Sequence, residues 1–216
     1  EGDFAPLEEL VAIAKNYGAA VFVNEVHAVG ALGKEGGGVS STSPALDDID
    51  IILGTFGKGY GTVGGYIAGN ADIVDAVRCF GAGLIFTTAP PPFITAATLA
   101  NVRHLRQSNL ERQQLKEKST QLKSMLKAAG VPIMFDSSHI IAVPIGDEDA
   151  TLEASSRLLD AGYYVTPMRF PTVPRGDGRL RVTVTPAHST EQITGFCNAL
   201  SSIYKSLEIQ PVKATA

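Results

Sequence analysis

Residues 19–23, Ala19-Ala20-Val21-Phe22-Val23, form a short apolar run with no polar alternation that stops abruptly at Asn24-Glu25-Val26-His27. A run of this kind fits a parallel strand covered on both faces, because an antiparallel strand with one wet face alternates. The pattern returns at 49–53, ending in Gly54-Thr55, and residues 64–68 make a third candidate strand. Before the first strand, Leu7, Leu10, Val11 and Ala14 recur at helical spacing over 6–17, with Glu8 and Glu9 at the end where a helix dipole favours acids and Gly18 as the stop. Helix, strand and polar strand end, repeated, predict an α/β architecture in which ligands sit beyond the carboxyl ends of the strands.

Farther on, 71–80 predicts a helix. Pro90-Pro91-Pro92 then excludes helix until about Phe93, and a long helical pattern follows to about Ala129, ended by Gly130 and Pro132. The remainder predicts strand at about 139–145, helix at 150–161, strand at 163–167, a proline-rich loop, strand at 179–184 and helix at 190–206. This divides the chain into residues 1–112, running into an interdomain helix, and a smaller α/β unit at 113–216. Residues 207–216 carry little pattern and are expected to form a frayed tail.

The 216 residues are 44% apolar, enough for a core in one or two domains. Lys and Arg total 18 against 22 Asp and Glu, and without a basic run there is no footprint for nucleic acid. Apolar stretches break well before the roughly 18 to 20 residues that a membrane span needs. Cys79 and Cys197 have no CxxC spacing, which leaves neither a zinc site nor a disulfide framework; both read as core thiols in a reducing compartment. The opening Glu1-Gly2-Asp3 lacks an initiator Met, signal peptide or transit segment and reads as the start of a fragment.

Lys58 lies in Gly54-Thr55-Phe56-Gly57-Lys58-Gly59-Tyr60-Gly61, a glycine-dense turn after an apolar strand. Glycines let backbone crowd a ligand. A lysine there suits Schiff-base chemistry if partial burial lowers its amine pKa, and a surface lysine in a mobile loop is the equal alternative. The GxxxxGK[ST] phosphate loop is absent. Asn24, Glu25 and His27 end the preceding strand and belong on the same side of the sheet as Lys58. Taken singly, His27 reads as a structural histidine, and Glu25 as a capping or salt-bridge acid.

Five ordered segments carry a resemblance. Asn24-Glu25-Val26-His27-Ala28-Val29-Gly30 with Gly36-Gly37-Gly38, the Lys58 segment from Gly54 to Gly65, Ile85-Phe86-Thr87-Thr88 with Pro90 to Pro92, Ser138-His139-Ile140-Ile141, and Phe170-Pro171-Thr172-Val173-Pro174-Arg175-Gly176 resemble segments of the α-oxoamine synthases. Within that family they resemble the 5-aminolevulinate synthases, over about 1–206. The resemblance implies a fold-type I pyridoxal-phosphate transferase: a partial large domain with a mainly parallel sheet, plus a small C-terminal α/β domain.

It further implies that Lys58 holds pyridoxal phosphate and removes the α-proton of glycine, and that His27 hydrogen-bonds the cofactor's phenolic oxygen. Thr55 would bind its phosphate, and Thr87 or Thr88 would reach the phosphate of the neighbouring subunit in a homodimer. Arg181 would hold the glycine carboxylate, a bidentate task for a guanidinium, although on its residues alone it reads as a strand-edge charge. Thr172 would contact the distal carboxylate of succinyl-CoA. The implied reaction joins glycine and succinyl-CoA into 5-aminolevulinate, the entry to tetrapyrroles, in the mitochondrial matrix of a eukaryote or the cytoplasm of a bacterium. Alternatives are 7-keto-8-aminopelargonate synthase, glycine C-acetyltransferase, a sphingoid-base synthase or a non-catalytic paralogue subunit. One departure stands out. Asn24 occupies the place of the family's aspartate, whose charge keeps the ring nitrogen protonated, so a carbanion step slowed by about 10² or more is expected. The family's upstream part, with a ring-stacking histidine, a glycine-rich loop and acyl-CoA contacts, would precede Glu1.

Overall fold

Gly18, with φ +65°, closes the first helix, as its place in the sequence predicts: the Ala19 amide reaches back to the Ala14 carbonyl at 2.8 Å. The computed structural model describes residues 2–209. Among these, Ala5–Arg112 forms one unit and residues 2–4 with 113–209 the other. The expectation of a frayed tail falls largely on 210–216, outside the described residues.

In the first unit, helix α1 (Leu7–Asn16) leads into strand β1 (Phe22–Asn24). Only Val11 of the helix is buried, while Leu10 and Ile13 stay exposed, so its apolar stripe is covered less than the spacing predicts. Strand β1 pairs in parallel with β2 (Ile51–Thr55), in the register Phe22↔Ile51 and Asn24↔Leu53. Asp50 sets the start of this pairing: its carboxylate accepts from the Val21 amide at 2.7 Å and from Lys15 Nζ at 2.9 Å, and those partners hold its pKa below the usual carboxylate value. Strand β3 (Gly65–Gly69) returns antiparallel to β2, from Thr55↔Gly65 to Ile51↔Gly69. The described sheet is therefore mixed, one parallel and one antiparallel pair, where a mainly parallel sheet was expected. The reason is chain length: residues 56–64 suffice for a hairpin but not for the crossover that a parallel pair needs, about a dozen residues or more.

Helix α2 (Ala71–Phe80) is capped by Asn70, whose side chain accepts from the Asp72 amide at 2.8 Å. Cys79, expected as a core thiol, is exposed on it. A short α3 (Ala82–Ile85), absent from the sequence reading, precedes α4 (Pro92–Gln107), which starts with Pro92 in the first turn, where its missing N–H costs nothing. The long helix expected to 129 is two helices, because α4 stops at Gln107 and α5 runs Leu110–Ala128. Ser108 is extended (φ −90°, ψ 139°) and its hydroxyl serves the next helix, accepting from the Leu110 amide at 3.3 Å and donating to Glu111 Oε2 at 2.6 Å. Ser108-Asn109-Leu110-Glu111 has the S-x-x-E spacing of a helix start, a signal present in the sequence but not used there.

The second unit is a helical layer on an antiparallel sheet of order β4-β6-β5: Ile140–Gly146, Gly178–Thr183 and Thr166–Met168. Helix α6 (Glu148–Asp160) is capped by Asp147 and α7 (Thr190–Ser206) by a reciprocal Ser189–Gln192 box. Leu126 of α5, Ile141 and Val143 of β4, Leu158 of α6, Leu180 of β6 and Leu200 of α7 are fully buried, each contributing roughly 1.5–3 kcal/mol of apolar burial. Cys197 and Tyr204 of α7 lie in the same core. Burial pushes the thiol up to about 11 and the phenol to about 12, and the phenol donates to the Pro144 carbonyl at 3.0 Å.

Candidate active site

The polar ends of β1 and β2 come together through main chain, not side chains. After Asn24, residues 25–30 turn sharply: the Glu25 carbonyl accepts from the Ala28 and Val29 amides at 2.8 and 2.9 Å. The Lys58 loop crosses this turn at Gly59. A Cβ on Gly59 would stand 2.5 Å from the Val29 carbonyl oxygen, and one on Gly30, where φ is +80°, would stand 3.1 Å from the Gly59 carbonyl carbon. Only glycine at both places permits the crossing.

Residues on either side of Lys58 anchor its loop. Tyr60 is buried with Val29 and Leu105, and its ring lies 5.9 Å from that of Phe56, which in turn lies 5.1 Å from Tyr66. The Tyr60 carbonyl accepts from Asn101 Nδ2 at 2.7 Å and its hydroxyl donates to the Gly36 carbonyl at 3.4 Å. Thr62 bonds Thr98 of α4, Oγ1 to Oγ1, at 2.8 Å. Lys58 itself is exposed, as are Gly57 and Gly59, so the partial burial expected of it is not found: its neighbours have no side chains to cover it, and the aromatic anchors point the other way, into the core.

Asn24 and His27 are also exposed at this edge. Asn24 Oδ1 accepts from the Val26 amide at 3.0 Å. Glu25 between them is 4% exposed and serves the structure: Oε1 accepts from the Ser40 amide at 2.6 Å and Oε2 from the Val39 amide at 3.1 Å. It caps the 3₁₀ turn Val39–Thr42 and so ties the glycine-rich segment 33–38 beneath the site. Thr55 is half-buried and its hydroxyl works inside the loop, donating to the Gly64 carbonyl at 3.0 Å and accepting from the Gly57 amide at 3.1 Å. Thr87 and Thr88 are exposed in the link between α3 and α4.

Residues 1–200 match the family Aminotransferase class I and II. The chain belongs to that family. It is 44% identical over 211 residues to a 5-aminolevulinate synthase of Rickettsia conorii, covering 97% of this chain and 51% of the relative. It is 41% identical to a mitochondrial 5-aminolevulinate synthase of Schizosaccharomyces pombe, covering 98% of this chain and 38% of the relative. Among solved structures it is similar to a serine palmitoyltransferase from S. paucimobilis with bound PLP–myriocin aldimine, at a TM-score of 0.89 and 33% identity, covering 96% of this chain and 53% of that one. The chain thus spans about half the length of the Rickettsia conorii and S. paucimobilis proteins and less of the Schizosaccharomyces pombe one, and its α/β architecture is that of the fold-type I transferases.

The other two site candidates lie in the second unit. Arg181, half-buried, sits on β6 opposite Ala142 and Thr166. Because β6 is the central strand, the strand-edge reading fails. Arg181 helps to line a cavity of about 380 Å³ with Tyr163, Thr183, His188 and Gln192. Near it the half-buried His139 has its pKa lowered by desolvation and then by the Lys123 and Arg181 charges, which favours a neutral ring. Thr172 is exposed in the loop after β5, where its amide donates to the Arg169 carbonyl at 2.9 Å and Val173 is buried as the anchor. Arg175 stacks over Phe170 at 4.1 Å from the ring centroid, and the Gly176 amide reaches Glu148 at 3.1 Å. Among the described residues there is no metal-ligating cluster, and no helix is long and apolar enough to cross a membrane. Tyr60 and Asn101 are the residues whose part in the site the sequence alone did not mark. Tyr60 adjoins the lysine motif, whereas nothing local marks Asn101.

Proposed function

We propose that the protein bearing this chain condenses glycine with succinyl-CoA, releasing 5-aminolevulinate, CoA and carbon dioxide, with pyridoxal phosphate bound at Lys58. The observation that carries this reading is the Gly30–Gly59 crossing, which brings an exposed lysine loop onto the turn bearing Asn24 and His27. The residues suit the cofactor. A Cβ at Gly61 would meet nothing within 4 Å and one at Gly57 nothing closer than 3.6 Å, so the loop leaves open space around a primary amine, with an imidazole and an amide on the neighbouring strand end. The 44% identity to an aminolevulinate synthase supports the choice of substrates.

Bound pyridoxal phosphate would supply an aldehyde for amines and a ring that takes up the electrons released at the amino acid's α-carbon. Lys58 Nζ is the amine that holds the cofactor and then receives the glycine α-proton. The glycine α-carbon would bond to the succinyl carbonyl carbon, the carbon–sulfur bond breaking with CoA leaving as thiolate; the glycine carboxylate would then depart as carbon dioxide, and the carbon it leaves would take back the proton held on Lys58 Nζ. His27 orients the ring through its phenolic oxygen. Thr55 takes the phosphate by exchanging its Gly64 carbonyl partner for an anionic acceptor, a hydrogen bond roughly twice as strong. Arg181 takes the glycine carboxylate and Thr172 the distal succinyl carboxylate. In a homodimer Thr87 or Thr88 serves the neighbouring subunit's phosphate. The compartment is the mitochondrial matrix in a eukaryote and the cytoplasm in a bacterium.

Asn24 favours one second reading, a non-catalytic subunit paired with an active relative. One experiment on the full-length protein separates the two: reduction with borohydride in the presence of pyridoxal phosphate, then peptide mass spectrometry. A phosphopyridoxyl adduct on Lys58, with turnover of succinyl-CoA above acetyl-, pimeloyl- and palmitoyl-CoA, is expected. A folded protein without adduct would reject the catalytic reading, and preference for another acyl donor would move it to a sister synthase.

A further inference from the structure

We propose that Asn24 holds the ring nitrogen of the bound cofactor in its unprotonated form, acting as a hydrogen-bond donor where a carboxylate would act as counter-ion. The inference rests on the cofactor reading above and adds the protonation state of the ring. Its basis is the orientation of one amide. Asn24 ends β1, is exposed beyond the sheet, and accepts the Val26 N–H on Oδ1 at 3.0 Å. A backbone N–H can be met only by the oxygen of an asparagine side chain, so this bond fixes which end of the amide turns back to the chain. The Nδ2 group is left facing outward and donates to none of the described residues.

A pyridine nitrogen has one in-plane position for a partner. Unprotonated, it accepts a hydrogen bond there; protonated, it donates one and needs an acceptor, the role an acidic partner fills. Presented by Nδ2, Asn24 complements the unprotonated ring, and a protonated ring would set N–H against N–H. The alternative, turning the amide over, would strip the Val26 amide of its partner.

Neighbouring acids do not restore the missing charge. Glu25, the next residue, has both oxygens committed to the Val39 and Ser40 amides and is 4% exposed. Asp50 lies at the opposite end of the β1–β2 pair, held by Lys15 and the Val21 amide. The ring is thereby a weaker electron sink than one paired with an acid, and Asn24 tunes the cofactor through a bond visible without any turnover.

The test is nitrogen-15 NMR of the full-length protein loaded with ring-labelled pyridoxal phosphate, run beside the borohydride mapping of Lys58. The native protein is expected to show the resonance of an unprotonated pyridine. In Asn24→Asp it should move to the pyridinium position. In Asn24→Ala the nitrogen should remain unprotonated while cofactor affinity, measured by equilibrium dialysis, falls several-fold. An adduct on Lys58 together with a pyridinium resonance in the native protein would overturn this inference and leave the cofactor reading intact. Absence of both adduct and resonance in a folded protein would overturn the two together.

Discussion

Two residues without side chains decide where Lys58 can be. Gly59 approaches Val29 so closely that a methyl group there would stand 2.5 Å from a carbonyl oxygen, a distance that real Cβ atoms essentially never reach. The obstacle is backbone on both sides and cannot swing away. Gly59→Ala is therefore expected to displace the lysine loop and cut phosphopyridoxyl labelling of Lys58 at least tenfold, while far-ultraviolet circular dichroism stays native because buried Tyr60 and the half-buried Phe56 and Tyr66 packed on it remain; unchanged labelling would refute the crossing's role. The lysine itself was legible, because glycines crowded around a basic residue at a strand end are a local pattern. So was the Asn24–His27 turn, as a polar stop to an apolar strand. Glu25 was seen and assigned the bland role it does have, a cap. Asn101 was invisible: it is an ordinary polar residue in α4, distant in sequence from the Tyr60 carbonyl it holds, and only folding brings the two together.

Elements were read well where a period ran unbroken and badly where a short polar segment intervened. Helix α7 and strands β4 and β6 lie within a residue or so of their expected limits, because burial runs almost unbroken through the two strands and at helical spacing through α7. The α4–α5 break was missed because leucines recur on both sides of it at helical spacing, and Ser108 looks tolerable within a helix until its hydroxyl is seen capping the next one. Ser108→Ala would remove the partners of the Leu110 amide and of Glu111 Oε2, and should lower stability by about 1 kcal/mol, read as a shift in the urea midpoint with unchanged slope. If the midpoint does not move, the break is imposed by packing and not by the cap. The direction of β3 shows the same limit: apolar content identifies a strand, but only the length of the preceding loop tells which way it runs.

At the scale of the whole molecule, the two units differ in how their apolar residues are used. Gln113 onward places fully buried side chains from three helices and two strands in one core, whereas Ala5–Arg112 has a small cluster around Val29, Tyr60 and Leu105 and leaves Tyr17, Phe80, Phe86 and Phe93 largely exposed. Local stability follows buried apolar contact. Amide hydrogen exchange should therefore be slowest in β4, β6 and α7 and faster by orders of magnitude in β1–β3; equal protection across the chain would contradict this. Adding pyridoxal phosphate should slow exchange in residues 22–30 and 51–65, the segments that bear its proposed ligands.

The crossing of two glycines also behaves as a hinge pin. Main chain bears directly on main chain, with no flexible side chain between to absorb movement, so a tilt of either strand drags the opposite turn along with it. Distant substitutions that disturb β1 or β2 should shift the imidazole and the amine as one piece, altering how the pair meets its ligand while preserving the spacing between them.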